Sequence, residues 1–308
     1  MTYVSLPSCT GSIEAYAFYK CLNLTTVNFS ACTSIGSYAF ASCSNLTTAS
    51  FSACTSIESY AFASCSKLAT ISFPSCTSIG NYAFYCCSNL TTASFPVCTS
   101  IGSYAFSSCS SLTTANFSAC TSIGSYAFAN CLKLMTASFS ACTSIDGYAF
   151  NGCRSLTTIS FPSCKYIGSY AFSYCYNLTT ASFPSCSIIF SSAFRDCSCL
   201  TSISFPVCER IASNAFGNCS SLTLISFPSC TYIQASAFLR CYNLVSLYFM
   251  GSSVVSLGNS NAFTSTPIAG YTASTGGVYG SIFVPSSLYN TYITSTNWVY
   301  FSSRFVSV

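Results

Sequence analysis

Histidine is absent from this 308-residue chain. Without imidazole there can be no serine–histidine triad, no histidine metal site and no histidine proton shuttle. Acidic residues are nearly as scarce: the five Asp and Glu residues are scattered, which argues against paired catalytic carboxylates. From these absences we expect no catalytic residues, no metal site and no cofactor.

Charge and long apolar runs are also scarce. Charged residues make up 5% of the chain, against about 25% in a typical globular protein. A net charge of +4 over the whole chain is too dilute for nucleic-acid binding. No run of apolar residues is as long as a membrane span, which needs about 18. The first residues lack the basic and apolar regions of a signal peptide, so no leader is evident. Disorder is excluded by a 51% apolar composition.

Cysteine is abundant, and its spacing reveals an internal repeat. Two series recur every 22 residues and are offset by 11, with Cys9 displaced by one inserted residue near Gly11, and Phe, Leu, Ile and Tyr follow the same period. Only Cys86 and Cys199 fall outside them. The first series is Cys9, Cys32, Cys54, Cys76, Cys98, Cys120, Cys142, Cys164, Cys186, Cys208 and Cys230; the second is Cys21, Cys43, Cys65, Cys87, Cys109, Cys131, Cys153, Cys175, Cys197, Cys219 and Cys241.

The 22-residue period with Leu-x-x-apolar-x-apolar at its centre predicts a solenoid of leucine-rich type. Residues 48–51 alternate outward and inward, as a half-buried strand does, and Tyr-Ala-Phe-x-x-Cys favours one helical or 3₁₀ turn. The expected fold is an α/β solenoid, a right-handed coil of about eleven repeats with a parallel β-sheet face. We assign residues 1–250 to the solenoid and residues 251–308 to a degenerate repeat and C-terminal cap.

The phrase Cys-Thr-Ser-Ile-Gly-Ser-Tyr-Ala-Phe-x-x-Cys-Ser-x-Leu resembles the BspA-like, or Treponema-type, leucine-rich repeat. The resemblance covers residues 2 to about 250, and residues 280–289 are similar to the terminal segment of bacterial and phage members. It implies a cell-surface or secreted protein that binds host proteins or other cells, and it brings no catalytic residues. The first cysteine series stands where the family usually has an aliphatic residue.

The C-terminal segment departs from the period. Ala262-Phe263 resembles a degenerate twelfth coil, and residues 264–280 are rich in Gly, Ser and Thr, which favours a loop. Pro285 can open a short helix over residues 287–293. We expect Trp298, the only tryptophan, to close the end of the core.

The cysteine series have three interpretations: buried thiols acting as small apolar side chains, partial disulfide pairing along a series, or metal binding. Burial of unpaired thiols is favoured, because one series cannot pair completely and no Cys-x-x-Cys cluster is present. On this view the 22 thiols in series are buried, and Cys86 and Cys199 are the most accessible.

The candidate binding face is a ladder of hydroxyl residues on the predicted sheet. It could bind a glycan or, as a weaker alternative, ice, whereas the plainest interpretation is that Thr suits an exposed strand. The candidate residues are Thr48, Ser50, Thr70, Ser72, Thr92, Ser94, Thr136, Ser138, Thr158 and Ser160.

A column of tyrosines from Tyr16 to Tyr170 gives way to Ser192, Asn214 and Ser236. Tyrosine suits recognition surfaces, because it offers contact area and a hydroxyl at small entropic cost. The alternative is a ring stack that seals one edge of the coils.

These observations predict a non-enzymatic extracellular adhesion or recognition protein, on a cell surface or a phage particle. Its expected partner is a host or cell-surface protein or a glycan, with no nucleic acid and no membrane span. The alternative is a structural subunit that self-associates end to end into a filament or tail. Because the chain carries little charge, electrostatic repulsion between such copies is weak. The first strand begins near residue 2 with no capping segment before it, so we expect this end of the solenoid to be covered.

Overall fold

A computed structural model describes residues 1–308. The chain divides into two compact units, residues 1–156 and residues 157–308. Each unit is a solenoid of parallel β-strands in which every coil supplies two short strands. The first unit has seven such coils and the second has five, and two further strands and a short helix follow in the second. The predicted solenoid is therefore confirmed.

The strands of the first unit are β1 (Tyr3–Ser5), β2 (Gly11–Ile13), β3 (Thr26–Asn28), β4 (Cys32–Ile35), β5 (Thr48–Ser50), β6 (Ser56–Ile57), β7 (Thr70–Ser72), β8 (Ser78–Ile79), β9 (Thr92–Ser94), β10 (Ser100–Ile101), β11 (Thr114–Asn116), β12 (Ser122–Ile123), β13 (Thr136–Ser138) and β14 (Ser144–Ile145).

The second unit contains β15 (Thr158–Ser160), β16 (Tyr166–Ile167), β17 (Thr180–Ser182), β18 (Ile188–Ile189), β19 (Ser202–Ser204), β20 (Arg210–Ile211), β21 (Leu224–Ser226), β22 (Tyr232–Ile233), β23 (Ser246–Tyr248), β24 (Ser256–Leu257), β25 (Ser281–Val284), α1 (Tyr289–Thr294) and β26 (Phe305–Ser307). Its 3₁₀ segments are Ser260–Phe263, Ala273–Thr275, Ser286–Leu288 and Trp298–Arg304.

Odd- and even-numbered strands form separate sheets, and each strand pairs with its equivalent one coil away. In the first unit the odd strands form a four-stranded sheet, β1 to β7, and a three-stranded sheet, β9 to β13, while β2 to β14 pair in sequence. Thr48 lies opposite Thr70, so the 22-residue period becomes the pairing register. The sheet of even strands was not predicted, because strands of two residues show no alternation.

Turns form the corners of each coil. After the odd strands β3 to β21, Cys donates its backbone N–H to the carbonyl of the Phe three residues earlier, as Cys76 does to Phe73 at 3.3 Å. Pro74 then occupies the second turn position, where its fixed φ is favourable. The repeat thus specifies this corner through Phe-Pro-Ser-Cys.

The Tyr-Ala-Phe-x-x-Cys segment is a run of turns, so the expected helical or 3₁₀ turn is wrong. The cause lies in two left-handed residues per coil, such as Tyr60 at φ 60° and Ser64 at φ 60°. A positive φ is incompatible with a right-handed helix. The segment instead bonds to the next coil, as the N–H of Phe62 does to the carbonyl of Ala83 at 2.7 Å.

The core consists of stacked columns of identical side chains. Phe106 is fully buried; its ring lies parallel to Phe84 and Phe128 with centroids 5.1 and 5.2 Å away. The ring of Phe106 also contacts two rings of the second phenylalanine column, Phe95 and Phe117, with centroids 5.9 and 5.6 Å away. One phenylalanine thus supports both neighbouring coils, which makes burial cooperative along the unit.

Both cysteine series are hydrogen-bonded. In the second series the thiol reaches the preceding coil, where Cys109 Sγ donates to the carbonyl of Phe84 at 3.2 Å. In the first series it stays within its own coil, where Cys120 Sγ donates to the carbonyl of Ser122 at 3.1 Å. The cysteines therefore fill small apolar sites and satisfy buried carbonyls, a role an aliphatic residue cannot play.

Burial of the series is confirmed except in the first coil. Cys9 is exposed and Cys21 is half-buried, because the first coil packs against only one neighbouring coil. Cys199 is exposed as expected, but Cys86 is half-buried. All 24 cysteines are thiols.

The end of the second unit closes as expected. Phe263 stacks on Phe238 at 5.4 Å and continues the phenylalanine column, and β25 and β26 extend the sheet of β21 and β23. Trp298 is fully buried and donates its indole N–H to the carbonyl of Val255 at 2.6 Å. The predicted short helix is α1, preceded by a 3₁₀ turn that begins at Ser286.

Candidate functional site

The candidate residues lie on the outer side of the odd strands, which we call the hydroxyl face. In each strand the central residue points inward, as Ala49 and Ala93 do at 1% exposure, and the flanking Thr and Ser point outward. In the first unit Thr48 and Ser50 are half-buried, while the others are exposed: Thr70, Ser72, Thr92, Ser94, Thr136 and Ser138. In the second unit Thr158 and Ser160 are exposed.

The in-register pairing sets these side chains in straight rows. Thr92, Thr114 and Thr136 occupy equivalent positions on β9, β11 and β13. Adjacent hydroxyls come close enough for a long hydrogen bond, from Thr136 Oγ1 to Thr114 Oγ1 at 3.5 Å. Thr92 and Ser94 are exposed, so their hydroxyls can reach a ligand.

Sequence reasoning missed several members of this face, including Thr180 and Ser182 on β17 in the second unit and two residues in the first unit. Thr114 and Asn116 lie on β11, between the strands of Thr92 and Thr136. With Thr136 and Ser138 they line a shallow depression of about 310 Å³. Asn116 replaces the usual Ser and so escaped the Thr-x-Ser pattern, although the 22-residue period alone would have placed it there.

The tyrosine column forms a continuous ring stack in the first unit. From Tyr16 to Tyr148 the neighbouring centroids are 4.5 to 4.9 Å apart, with planes within 6° of parallel. Burial raises the pKa of Tyr60 and Tyr126, and the phenol groups of the adjacent tyrosines raise it further. Because each ring from Tyr38 to Tyr126 has a stacked ring on both faces, these rings present only their edges to solvent, and a ligand cannot stack on them.

The acidic residues of the first unit do not form a catalytic pair. Glu14, Glu58 and Asp146 all follow an even strand and lie in different coils. Glu58 has a local role: its Oε2 accepts hydrogen bonds from the backbone N–H and the hydroxyl of Ser37, at 3.0 and 2.9 Å. The structure brings together no group of three metal-ligating side chains, and it has no helix of membrane-spanning length and apolarity.

Comparison with known proteins supports one family. The family model described as BspA type leucine rich repeat region (6 copies) matches residues 1–113, 33–153, 77–199, 121–245 and 187–297, which together span residues 1–297. Among curated proteins no match is found.

Several solved structures are similar to this chain at low identity, and the one with a TM-score above 0.5 shows the same fold. A leucine-rich repeat protein from Bacteroides ovatus is 22% identical, with a TM-score of 0.56 and coverage of 100% of this chain and 92% of the other. A leucine rich cell surface protein from Faecalibacterium prausnitzii is 23% identical, with a TM-score of 0.47 and coverage of 86% and 85%. A leucine-rich repeat protein of T. pallidum is 22% identical, with a TM-score of 0.31 and coverage of 71% and 77%.

Proposed function

Since the chain belongs to the BspA-type leucine-rich repeat family, we propose that it is a non-enzymatic adhesion or recognition protein. In this proposal it acts outside the cell, on a cell surface or a phage particle, and binds a host or cell-surface protein or a glycan. The repeat surface is the scaffold for that interaction, and its hydroxyl face is the binding surface.

The observation that carries the proposal is the row of exposed hydroxyls on β9, β11 and β13. Threonine and serine hydroxyls both donate and accept hydrogen bonds, and rows of them match the alternating polar groups of a peptide backbone or a sugar chain. Short strands in register hold these groups in place, which lowers the ordering cost of binding. The depression beside Thr114 and Thr136 gives the flat face one concave point.

The test compares two lysine substitutions in the first unit. Thr136→Lys places a charged side chain on the hydroxyl face, and Ser122→Lys places one at an exposed site on an even strand. Each variant and the parent chain are applied to an array of immobilised glycans and purified extracellular proteins. The proposal predicts that signals of the parent chain fall with Thr136→Lys and persist with Ser122→Lys. Equal signals for the two variants would refute the proposal that the hydroxyl face is the binding surface.

A second candidate function is end-to-end self-association into a filament or tail. The first coil exposes large apolar side chains, including Tyr3 at 59%, Tyr16 at 56% and Leu22 at 55%. The outer edge of β1 also offers backbone groups to another strand. Light scattering and negative-stain microscopy of the whole chain separate the candidates. Particles that lengthen with concentration support self-association, and a monodisperse monomer at all concentrations excludes it.

A further inference from the structure

The outward surface of the even strands changes character in the second unit. In the first unit the outward position of these strands is serine in every coil: Ser12, Ser34, Ser56, Ser78, Ser100, Ser122 and Ser144. In the second unit the equivalent positions on β16 to β22 are Tyr166, Ile188, Arg210 and Tyr232. Four consecutive coils have thus exchanged a small polar residue for a large one.

These four side chains form one row. Tyr166 pairs in register with Ile188, Ile188 with Arg210, and Arg210 with Tyr232. Tyr166 is 45% exposed, and the guanidinium of Arg210 lies 5.6 Å from the centroid of the Tyr232 ring. Tyrosine and arginine are the residue types that dominate binding energy at protein interfaces, whereas serine is depleted there.

A second row beside the first creates a pocket. It consists of Phe190, Ala212 and Gln234, which follow β18, β20 and β22. Ala212 is small, so a gap opens between the 43%-exposed ring of Phe190 and the side chain of Gln234. The resulting cavity has a volume of about 260 Å³ and is also lined by Ile188, Arg210 and Tyr232.

The walls of this pocket are mostly apolar and partly fixed. Gln234 Oε1 accepts hydrogen bonds from the backbone N–H and the hydroxyl of Ser213, at 2.9 and 3.1 Å. That oxygen is therefore engaged, and the apolar lining residues include Ile188, Phe190 and Ala212. A sugar ring would bring hydroxyls that find few partners here, and an unpaired polar group is costly to bury. An apolar side chain fits this chemistry.

Arg210 adds a charge without a counterion. Glu209, the next residue to Arg210, forms no ion pair with it, and Asp196 pairs with Arg195 instead. A guanidinium held on an aromatic ring at the rim of a pocket binds a carboxylate. The cavity is smaller than the about 300–1,000 Å³ of small-molecule sites, which suits one side chain of a larger partner.

We propose that this pocket, which we call the Phe190–Gln234 pocket, binds an extended peptide segment of a partner protein that carries one large apolar side chain next to an Asp or Glu. The apolar side chain enters between Phe190 and Gln234, and the neighbouring carboxylate pairs with Arg210. This site is separate from the hydroxyl face, and neither depends on the other.

The test titrates the acetylated, amidated pentapeptide Ser-Asp-Phe-Asp-Ser into the ¹⁵N-labelled whole chain. We expect saturable shifts of the amide signals of Phe190, Arg210 and Ala212. Two substitutions with internal precedents probe the site: Arg210→Ser restores the residue of the first unit, and Phe190→Ala copies Ala212. Because these side chains already occur at equivalent positions, both variants should fold normally.

The expected losses of affinity are about two- to fivefold for Arg210→Ser, as for an exposed ion pair, and about tenfold or more for Phe190→Ala. Val97→Ser, an exposed change in the turn after β9 that copies Ser75 at the equivalent position, is the matched control and should leave affinity unchanged. The peptide Ser-Asn-Phe-Asn-Ser should bind as weakly to the parent chain as Ser-Asp-Phe-Asp-Ser binds to Arg210→Ser.

Three results would overturn the inference. The first is an absence of saturable shifts at these residues with Ser-Asp-Phe-Asp-Ser. The second is equal affinity of the parent chain and Phe190→Ala. The third is a stronger response of the same amides to sialyllactose, which would assign the pocket to an acidic glycan instead of a peptide.

Discussion

The tyrosine column combines a favourable ring stack with an unfavourable backbone conformation. Tyr104 has φ 59°, in the left-handed region that costs a non-glycine residue about 1–2 kcal/mol. Its ring stacks on Tyr82 and Tyr126 with centroids 4.6 and 4.5 Å away. Two aromatic contacts of about 0.5–1.5 kcal/mol each offset that cost. The two contributions can be separated by substitution.

We predict that Tyr104→Gly is less destabilising than Tyr104→Ala. Both variants lose the two ring contacts, about 1–3 kcal/mol in total. Alanine keeps the strain of the left-handed conformation, whereas glycine removes about 1–2 kcal/mol of it and adds about 0.5–1 kcal/mol of backbone entropy. The glycine variant should therefore be more stable than the alanine variant by roughly 0.5–1 kcal/mol, the reverse of the usual order of these residues.

The measurement is equilibrium unfolding in urea, followed by far-ultraviolet circular dichroism. Ser103, the preceding residue, is not left-handed and provides the matched control. There glycine should be the less stable substitution by about 0.5–1 kcal/mol. If glycine is also less stable than alanine at position 104, the argument from left-handed strain is wrong.

Three further predictions concern the core. A thiol reagent applied to the folded chain should modify Cys9 and Cys199 first, because both are exposed; rapid labelling of Cys120 would contradict the burial described above. The free energy of unfolding should fall above about pH 9, because burial raises the pKa of the Cys120 thiol from 9.0 to about 12. Each such thiol that ionises on unfolding at pH 10 lowers the free energy of unfolding by about 1.4 kcal/mol. An unchanged urea midpoint between pH 8 and 10 would refute this. Phe106→Ala should cost about 3–5 kcal/mol and Thr92→Ala less than about 1 kcal/mol in urea unfolding, and equal costs would mean that the inward and outward positions are reversed.

The sequence predicts the features that depend on spacing. A period of 22 residues places Thr48 beside Thr70 and Phe84 beside Phe106, so the columns, the odd-strand sheets and the inward positions follow from it. The closing role of Trp298 was also predictable, because a single large aromatic residue follows the last coil.

Features that depend on local backbone conformation were not predicted. Tyrosine has no preference for positive φ, so the left-handed position of Tyr60 left little signal in its own column, where Asn214 is the one residue that tolerates this conformation well. The second left-handed column does carry one, since it includes Asn130, Gly152 and Asn218, which tolerate this conformation well. Pockets such as the one beside Phe190 depend on neighbours in adjacent coils, and they emerge only when the coils are aligned in register.

In-register pairing has a consequence for how the chain can vary in length. Thr92 meets Thr114 as Thr114 meets Thr136, so successive coils offer one another the same partners. Removing or duplicating one block of 22 residues within a unit would recreate the same junction, whereas a block one residue shorter would shift every column. The number of coils can therefore change by whole repeats during evolution, and the surface can become longer or shorter while the core contacts stay the same.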